Sequence, residues 1–337
     1  MAQNPAPGPT RQSRIIGALL ALHAGDSLGA TVEFKTHAQI ASRYPSGLRD
    51  IVGGGPFNWP AGHATDDTDL TRAVLIAYKS RRESGSADFD VVKAAAENSL
   101  AWFDGNWPGR APGELPKDVG NATMQGLDKY RRTRDPERSG AGQGSAGNGS
   151  LMRCLPTGLF QSDPELLVQE SMAISKITHN DFRCVVACAV YNSIVAALIR
   201  GNSVDDAIEA GEAVAVRLEK RGGGEVYKSV QLGKELKISD MAQRGPPRSL
   251  PGGCSGYVLD SLTVAIAALL DQRRLEDVLV DVVGIGRDTD TNAAIAGGLL
   301  GTRDGVESIP IRWKEVLQFG EEFRAIAAFL SEEEGTG

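Results

Sequence analysis

Asp288-Thr289-Asp290-Thr291-Asn292-Ala293-Ala294-Ile295-Ala296-Gly297-Gly298-Leu299-Leu300 joins a cluster of carboxylates and hydroxyls directly to a run of small apolar residues. Side chains as small as those of Ala and Gly let helix axes approach closely, so the run suits an interior helix packed on all sides. Outward from it, apolar residues recur at i, i+3 and i+4 over Ile15 to Leu28, Asp67 to Lys79, Val91 to Phe103, Val119 to Tyr130, Pro164 to Lys176 and Asp181 to Ile199. The same spacing continues over Val204 to Glu219, Val258 to Gln272, Leu275 to Gly284, Thr291 to Leu300 and Ile311 to Leu330. Strand-like alternation is almost absent, and no repeat of fixed period marks a solenoid. The expected fold is therefore all-α, a single-domain globule of many helices.

A second acidic cluster, Thr65-Asp66-Asp67-Thr68-Asp69, lies more than two hundred residues upstream and also runs into an apolar stretch, Leu70 to Tyr78. Asp and Thr ahead of such a stretch are what helix N-caps look like. A cap needs one acceptor, however, whereas Asp66-Asp67 and Asp288/Asp290 set like charges side by side, which costs stability unless a cation compensates. Oxygen donors of this kind suit Mg²⁺ or Mn²⁺. Brought face to face in a central cleft, the clusters would hold a pair of divalent ions for hydrolytic chemistry. The positive ends of the two helix dipoles favour the same anions, so capping and metal binding are compatible. Because the halves of the site come from opposite ends of the chain, one domain is expected from residue 14 to 331.

With 337 residues and 41% hydrophobic content, the chain can bury a large core. A net charge of -7 supplies no basic field for nucleic acid or an anionic membrane, so neither is an expected partner. Cys154, Cys184, Cys188 and Cys254 read as reduced, buried small hydrophobes. A zinc site from His179, Cys184 and Cys188 lacks a paired Cys-x-x-Cys and a fourth ligand. Arg11 and Arg14 ahead of Ile15 to Leu22 superficially resemble a secretory leader, but the run reads better as a first buried helix. No other apolar run reaches the ~18 residues of a membrane span. A soluble, cytoplasmic monomer is expected, with disordered tails at residues 1–13 and 332–337.

Three long loops cover Gly53 to Ala64, Pro108 to Lys117 and Arg132 to Gly149. The last is rich in Gly and Ser but has no Gly-Lys-Ser/Thr ending and follows no strand, so neither a P-loop nor a dinucleotide fingerprint is supported. Its far end, Asn148-Gly149-Ser150, can still present backbone N–H groups to a phosphate. A further loop, Gln243 to Gly256, ends at Tyr257.

Taken in order, Gly25-Asp26-Ser27-Leu28-Gly29-Ala30-Thr31-Val32-Glu33-Phe34, Thr65-Asp66-Asp67-Thr68, Asp118-Val119-Gly120-Asn121, Gly147-Asn148-Gly149-Ser150-Leu151-Met152-Arg153-Cys154, Ile177-Thr178-His179-Asn180 and Asp288-Thr289-Asp290-Thr291 resemble the motifs of ADP-ribosylglycohydrolases. Within that family the resemblance is to the dinitrogenase reductase-activating branch. It implies an all-α hydrolase with two Mg²⁺ or Mn²⁺ ions that releases ADP-ribose from a modified protein, often from arginine. By matching position, Thr65, Asp66, Asp67, Asp288, Asp290 and Thr291 would be metal ligands. Glu33 and Asp118 would share the catalytic work, one activating water and the other attending the acceptor. Gly120, Asn121, Asn148, Gly149, Ser150, Leu151, Met152, His179 and Tyr257 would line the ADP-ribose cleft, Tyr257 by stacking on adenine.

Plainer readings stand beside these. Asp118 would cap a helix from Val119, His179 would start a helix with its ring satisfied by backbone, and Tyr257 would belong to the core. Arg287 departs from the resemblance, since glycine is usual there, and places a cation beside the ligands where it would meet phosphate or restrict the acceptor. The loop Pro56-Phe57-Asn58-Trp59-Pro60 carries two aromatics ahead of the first cluster, where loops commonly select partners. The alternative functions are hydrolysis of serine-linked, nucleic-acid-linked or small ADP-ribose conjugates, a catalytically silent ADP-ribose-binding protein, and an unrelated two-metal phosphohydrolase. Retention of all six inferred ligands speaks against the silent protein.

Overall fold

The structure, a computed structural model, describes residues 8–220 and 223–332. The first third of the chain forms α1 (Arg11–Gly29), α2 (His37–Arg43), α3 (Asp66–Ser84), α4 (Val91–Phe103), α5 (Asn121–Thr133) and the single-turn α6 (Pro136–Ser139). The middle forms α7 (Leu155–Phe160), α8 (Pro164–Lys176), α9 (Phe182–Ile199), α10 (Val204–Glu219), α11 (Glu225–Glu235) and α12 (Ile238–Arg244). The last third forms α13 (Val258–Leu270), α14 (Leu275–Ile285), α15 (Thr289–Asp304), α16 (Ile311–Lys314) and α17 (Gly320–Ser331). Among the described residues extended pairing is limited to isolated bridges, so the all-α expectation holds.

The first and fifteenth helices run antiparallel through the centre with their backbones in contact. A Cβ added at Gly17 would lie 2.5 Å from the Gly301 carbonyl oxygen, one at Gly25 2.2 Å from that of Ala293, and one at Gly29 2.3 Å from that of Thr289. From the other side, a Cβ at Gly297 would meet the Ala21 oxygen at 2.3 Å. The small residues are Gly17, Ala21, Gly25 and Gly29 on α1, and Ala293, Gly297 and Gly301 on α15. A four-residue step keeps each set on one helix face. Every residue of α15 from Thr289 to Thr302 is buried, as the Ala/Gly-rich run anticipated. This packing delivers the C-terminal end of α1, with Asp26, and the turn after it, with Glu33, to the N-terminal end of α15, with Asp288 and Asp290.

Several boundaries differ from the sequence reading. The N-terminal tail ends before residue 13, because Thr10 caps α1 by accepting from the Ser13 amide at 3.1 Å. Arg14 then ties the helix to α15 by donating to the Thr302 and Arg303 carbonyls at 2.9 Å each. Residues 1–7 and 333–337, the rest of the expected tails, lie outside the described residues. The helix expected from Ile311 to Leu330 is broken after Lys314, since the intervening segment pairs with the loop before the first acidic cluster. There the Gln318 amide donates to the Gly62 carbonyl at 2.9 Å, and its side chain accepts from the Ala64 amide at 3.0 Å. Helix α5 starts at Asn121 with Gly120 in the capping position, so Asp118 is not a cap. Phe182–Ile199 does reach the length and composition of a membrane span, contrary to the sequence count, but 83% of it is buried inside the protein. An apolar helix buried all round is the core element of a large globule.

Candidate active site

Both acidic clusters sit at helix starts. Thr65 caps α3, its hydroxyl accepting from the Asp67 amide at 3.3 Å, and Asp66, Asp67 and Asp69 occupy the first turn. Asp288 stands at the start of α15 with no side-chain cap bond, its carboxylate instead taking the Asn148 side-chain amide at 2.7 Å. Asp67 joins the clusters: one oxygen accepts from the Thr65 hydroxyl at 3.2 Å and from the Thr291 hydroxyl at 3.3 Å. Asp69 is turned away, because its two oxygens accept from the indoles of Trp102 and Trp107 at 2.8 Å each. The six side chains expected to bind metal are thus brought to one place, with Asp69 outside the set.

Two groups of carboxylates meet there. Oxygens of Asp26, Asp67 and Asp290 lie within 4.8 Å of one another, as do oxygens of Glu33, Asp118 and Asp290. Asp26 Oδ1, Asp67 Oδ1, Asp290 Oδ1 and Glu33 Oε2 are all buried without a hydrogen-bond partner. Burial pushes every member's pKa up, with neighbouring carboxylates adding to it for most. Glu33 rises to about 9, Asp118 to about 7 and Asp26 to about 6, and Asp66, Asp67 and Asp290 rise well above the usual range. Orphaned acceptors in a stack of like charges are expensive unless a cation completes them. The donor set, carboxylates with threonine hydroxyls, therefore fits hard divalent ions.

Asp26, within the first of the ordered motifs, has a role that the resemblance does not imply. One of its oxygens accepts from the Thr65 amide at 3.1 Å, the Thr68 amide at 3.3 Å and the Thr68 hydroxyl, so it anchors the turn that presents Thr65 to Asp67. The available signal was a carboxylate inside an otherwise apolar helix, a position rarely charged without a partner.

Above the carboxylates lies a cavity of about 680 Å³, within the range that encloses a whole small-molecule ligand. Its walls include Glu33, Asp66, Asp118, Gly120, Asn121, Asn148, Gly149, Met152, His179, Asp288, Asp290 and Thr291. Thr65 and Asp67 lie outside this lining. Ser150 and Leu151 do not line it either: both are buried, and the Ser150 hydroxyl accepts from Ser175 at 2.8 Å. Tyr257 is also displaced from the expected place. Its ring is covered by the Arg183 guanidinium at 5.7 Å, and Ser255 and Gly256 reach the cavity in its stead.

His179 is buried beneath the glycine loop, its Nδ1 2.8 Å from the Thr178 hydroxyl, so a side chain rather than backbone satisfies it. Burial lowers its pKa to about 3, keeping the ring neutral. A Cβ on Gly149 would come within 2.9 Å of that ring. Arg287 adopts a left-handed conformation, φ 76°, and its exposed side chain stands on the cavity rim. The left-handed region gives a reason for the glycine of the resemblance. All four cysteines are buried and free, and among the described residues no candidate metal group includes one.

Comparison with known proteins agrees with this geometry. The family model for ADP-ribosylglycohydrolase matches residues 7–337. The ADP-ribosyl-[dinitrogen reductase] glycohydrolase of Rhodospirillum rubrum is 30% identical over 308 residues, covering 91% of this chain and 90% of its own length. The ADP-ribosylarginine hydrolase Tri1 of Pseudomonas putida (strain GB-1) is 30% identical over 319 residues, covering 94% of this chain and 77% of its own. A solved structure titled ADP-ribosylglycohydrolase-related protein complex superposes with a TM-score of 0.72 at 28% identity, covering 95% of this chain and 97% of that one. An all-α core, a cavity floored by carboxylates from both ends of the chain, and a match along almost its whole length place the protein in the ADP-ribosylglycohydrolase family, a family of glycosidases.

Proposed function

We propose that this protein is a metal-dependent hydrolase that removes ADP-ribose from modified proteins by cleaving the N-glycosidic bond to arginine. The observation that carries the metal dependence is the set of four buried, unpartnered carboxylate oxygens on Asp26, Asp67, Asp290 and Glu33. Thr65, Asp66, Asp67, Asp288, Asp290 and Thr291 hold two Mg²⁺ or Mn²⁺ ions. When bound, such ions offset the stacked negative charge, orient the ribose hydroxyls and acidify a nearby water. The arginine reading draws support from the printed activity of the Pseudomonas putida relative.

In the hydrolysis a water oxygen bonds to the anomeric carbon, the carbon–nitrogen bond breaks with its electron pair going to nitrogen, and the water's proton passes to the departing guanidine. Charge builds up on the ribose ring as in other glycoside cleavages. Glu33 is buried at the cavity floor; once cations offset the burial and neighbouring carboxylates that raise its pKa, it is ionised and takes the water proton. Asp118, with Asp66, also lines a second, smaller cavity, so it faces the departing group and returns a proton there. Asn121, Asn148, Gly149 and His179 line the main cavity but not the second one, and take up the ADP-ribose moiety.

The test is release of ADP-ribose from arginine-modified and serine-modified protein with Mg²⁺ or Mn²⁺, with and without chelator, for the parent and Asp290→Ala. Release from the arginine substrate that chelator and the substitution both abolish is expected. Release that survives chelation would remove the metal dependence, and release from serine alone would replace the acceptor.

A further inference from the structure

A row of aromatic rings runs from Phe34 on the wall of the main cavity to Trp59 and His63 on the wall of the second, smaller one. Phe34, 62% exposed, meets Phe57 edge-on at 6.4 Å between centroids, Phe57 lies 5.8 Å from Trp59, and Trp59 stacks on His63 at 4.8 Å and 19°. Backbone geometry holds the row in place. Gly54 and Trp59 exchange amide–carbonyl bonds of 2.8 Å each, closing the loop that presents Phe57 and Trp59. Phe34, at φ 63°, directly follows Glu33, and its amide donates to the Arg287 carbonyl at 2.8 Å.

Trp59 already has a cation on it. The Lys117 ammonium, on an exposed side chain, lies 5.6 Å from the Trp59 ring centroid. Both residues line the second cavity together with Asp66 and Asp118, the two carboxylates it shares with the main cleft. An aromatic face next to carboxylates attracts a cation twice over, through the ring quadrupole and through charge. A guanidinium suits the place better than an ammonium, because it is planar, stacks flat and is more weakly hydrated.

We propose that Trp59 is the platform for the acceptor side chain: the guanidinium of the modified arginine lies on its face beside Asp118 and displaces Lys117, while Phe57 and Phe34 contact the neighbouring acceptor residues. The inference rests on the arginine reading above. It makes Trp59 a specificity-determining residue, since a serine oxygen has neither the charge nor the plane to gain from the ring.

The experiment is steady-state hydrolysis of ADP-ribosyl-agmatine, a small guanidine conjugate, by the metal-loaded parent, Trp59→Leu, Trp59→Phe and Lys117→Ala. A cation–aromatic contact of about 1 kcal/mol corresponds to a roughly fivefold change in binding. Trp59→Leu is expected to raise KM about fivefold with kcat little changed, the pattern of lost uniform binding, and Trp59→Phe to recover most of the loss. Lys117→Ala is expected to lower KM by removing a competing cation. ADP-ribose affinity, measured by calorimetry, stays the same in all variants. Hydrolysis with an unchanged KM in Trp59→Leu overturns the platform alone, as does a parallel loss of ADP-ribose affinity. A parent chain that cleaves serine-linked but not guanidine-linked ADP-ribose overturns the arginine reading and the platform with it.

Discussion

At the residue scale, charge placed in the interior dominates. Asp26 is fully buried, with one oxygen holding the turn at Thr65 and Thr68 and the other unpartnered beside Asp67 and Asp290. Asp26→Asn keeps an acceptor for the turn and removes one charge from the stack. The metal-free protein should therefore gain stability, while affinity for Mn²⁺ falls by about tenfold or more, the usual cost of losing a supporting group at a metal site. Calorimetric Mn²⁺ titration and melting in chelator read the two effects separately, and a variant that lost both would contradict this account.

His23 gives a pH dependence of opposite origin. It is buried between Phe319 and Phe323, its Nδ1 lies 3.2 Å from the Ser27 hydroxyl, and the Phe319 amide donates to its Nε2 at 3.4 Å. A second ring proton would oppose that amide, and burial lowers the pKa from 6.5 to about 4. The unfolded chain thus binds more protons between those values, so stability falls as pH drops through 6.5. From pH 7 to pH 5 the parent should lose roughly 2 kcal/mol more than His23→Gln. Urea unfolding of both proteins at the two pH values checks the difference, which isolates His23 from the carboxylates that shift the other way.

At the scale of elements, the contact between α1 and α15 is the point of least tolerance. Gly297→Ala would set a methyl 2.3 Å from the Ala21 carbonyl oxygen, with backbone on both sides and no flexible side chain to yield. Alanine is the better helix former by about 1 kcal/mol, so a loss of stability here would have to come from packing. Overpacking of this kind costs about 1 to 3 kcal/mol and should exceed that gain. Thermal unfolding is the measurement, and a stabilised Gly297→Ala would show that the axes can part freely. The same contact aligns the ends of the two helices, so the variant should also bind Mn²⁺ more weakly although it touches no ligand.

For the whole molecule, the site exists only when the ends of the chain meet. Its acidic and hydroxyl side chains come from the starts of α3 and α15, and Asp26 and Glu33 come from α1 and the turn after it. The unfolded chain has no such arrangement, so divalent ions should bind the folded state and raise its melting temperature with concentration. At a hundred times the dissociation constant the gain is about 2.7 kcal/mol. Melting curves across a Mn²⁺ series, reversed by chelator, should show the rise, and Asp290→Ala should flatten it.

Part of this was legible in the chain itself. Helical periodicity, caps and breakers are local, which is why α4, α8 and α10 fall where the spacing puts them. The Ala/Gly run after Asp290 announced a helix without an exposed face, and the paired carboxylates beside threonines announced a cluster of oxygen donors that could hold metal, because both signals depend on neighbouring residue types alone. Position in the interior is another matter. The role of Asp26, the removal of Asp69 by two indoles, the loss of Tyr257 to Arg183 and the helix break after Lys314 were decided only when distant segments packed. The aromatic row from Phe34 to His63 and its cation from Lys117 likewise join three separate stretches. Residue types and their spacing determined the all-α class, most of the longer helices and the acidic donor set, whereas tertiary packing decided the helices that the spacing did not mark, among them α2, α7, α11 and α12, and which carboxylates are stripped of partners, since burial and hydrogen-bond supply belong to the folded surroundings and not to the residue.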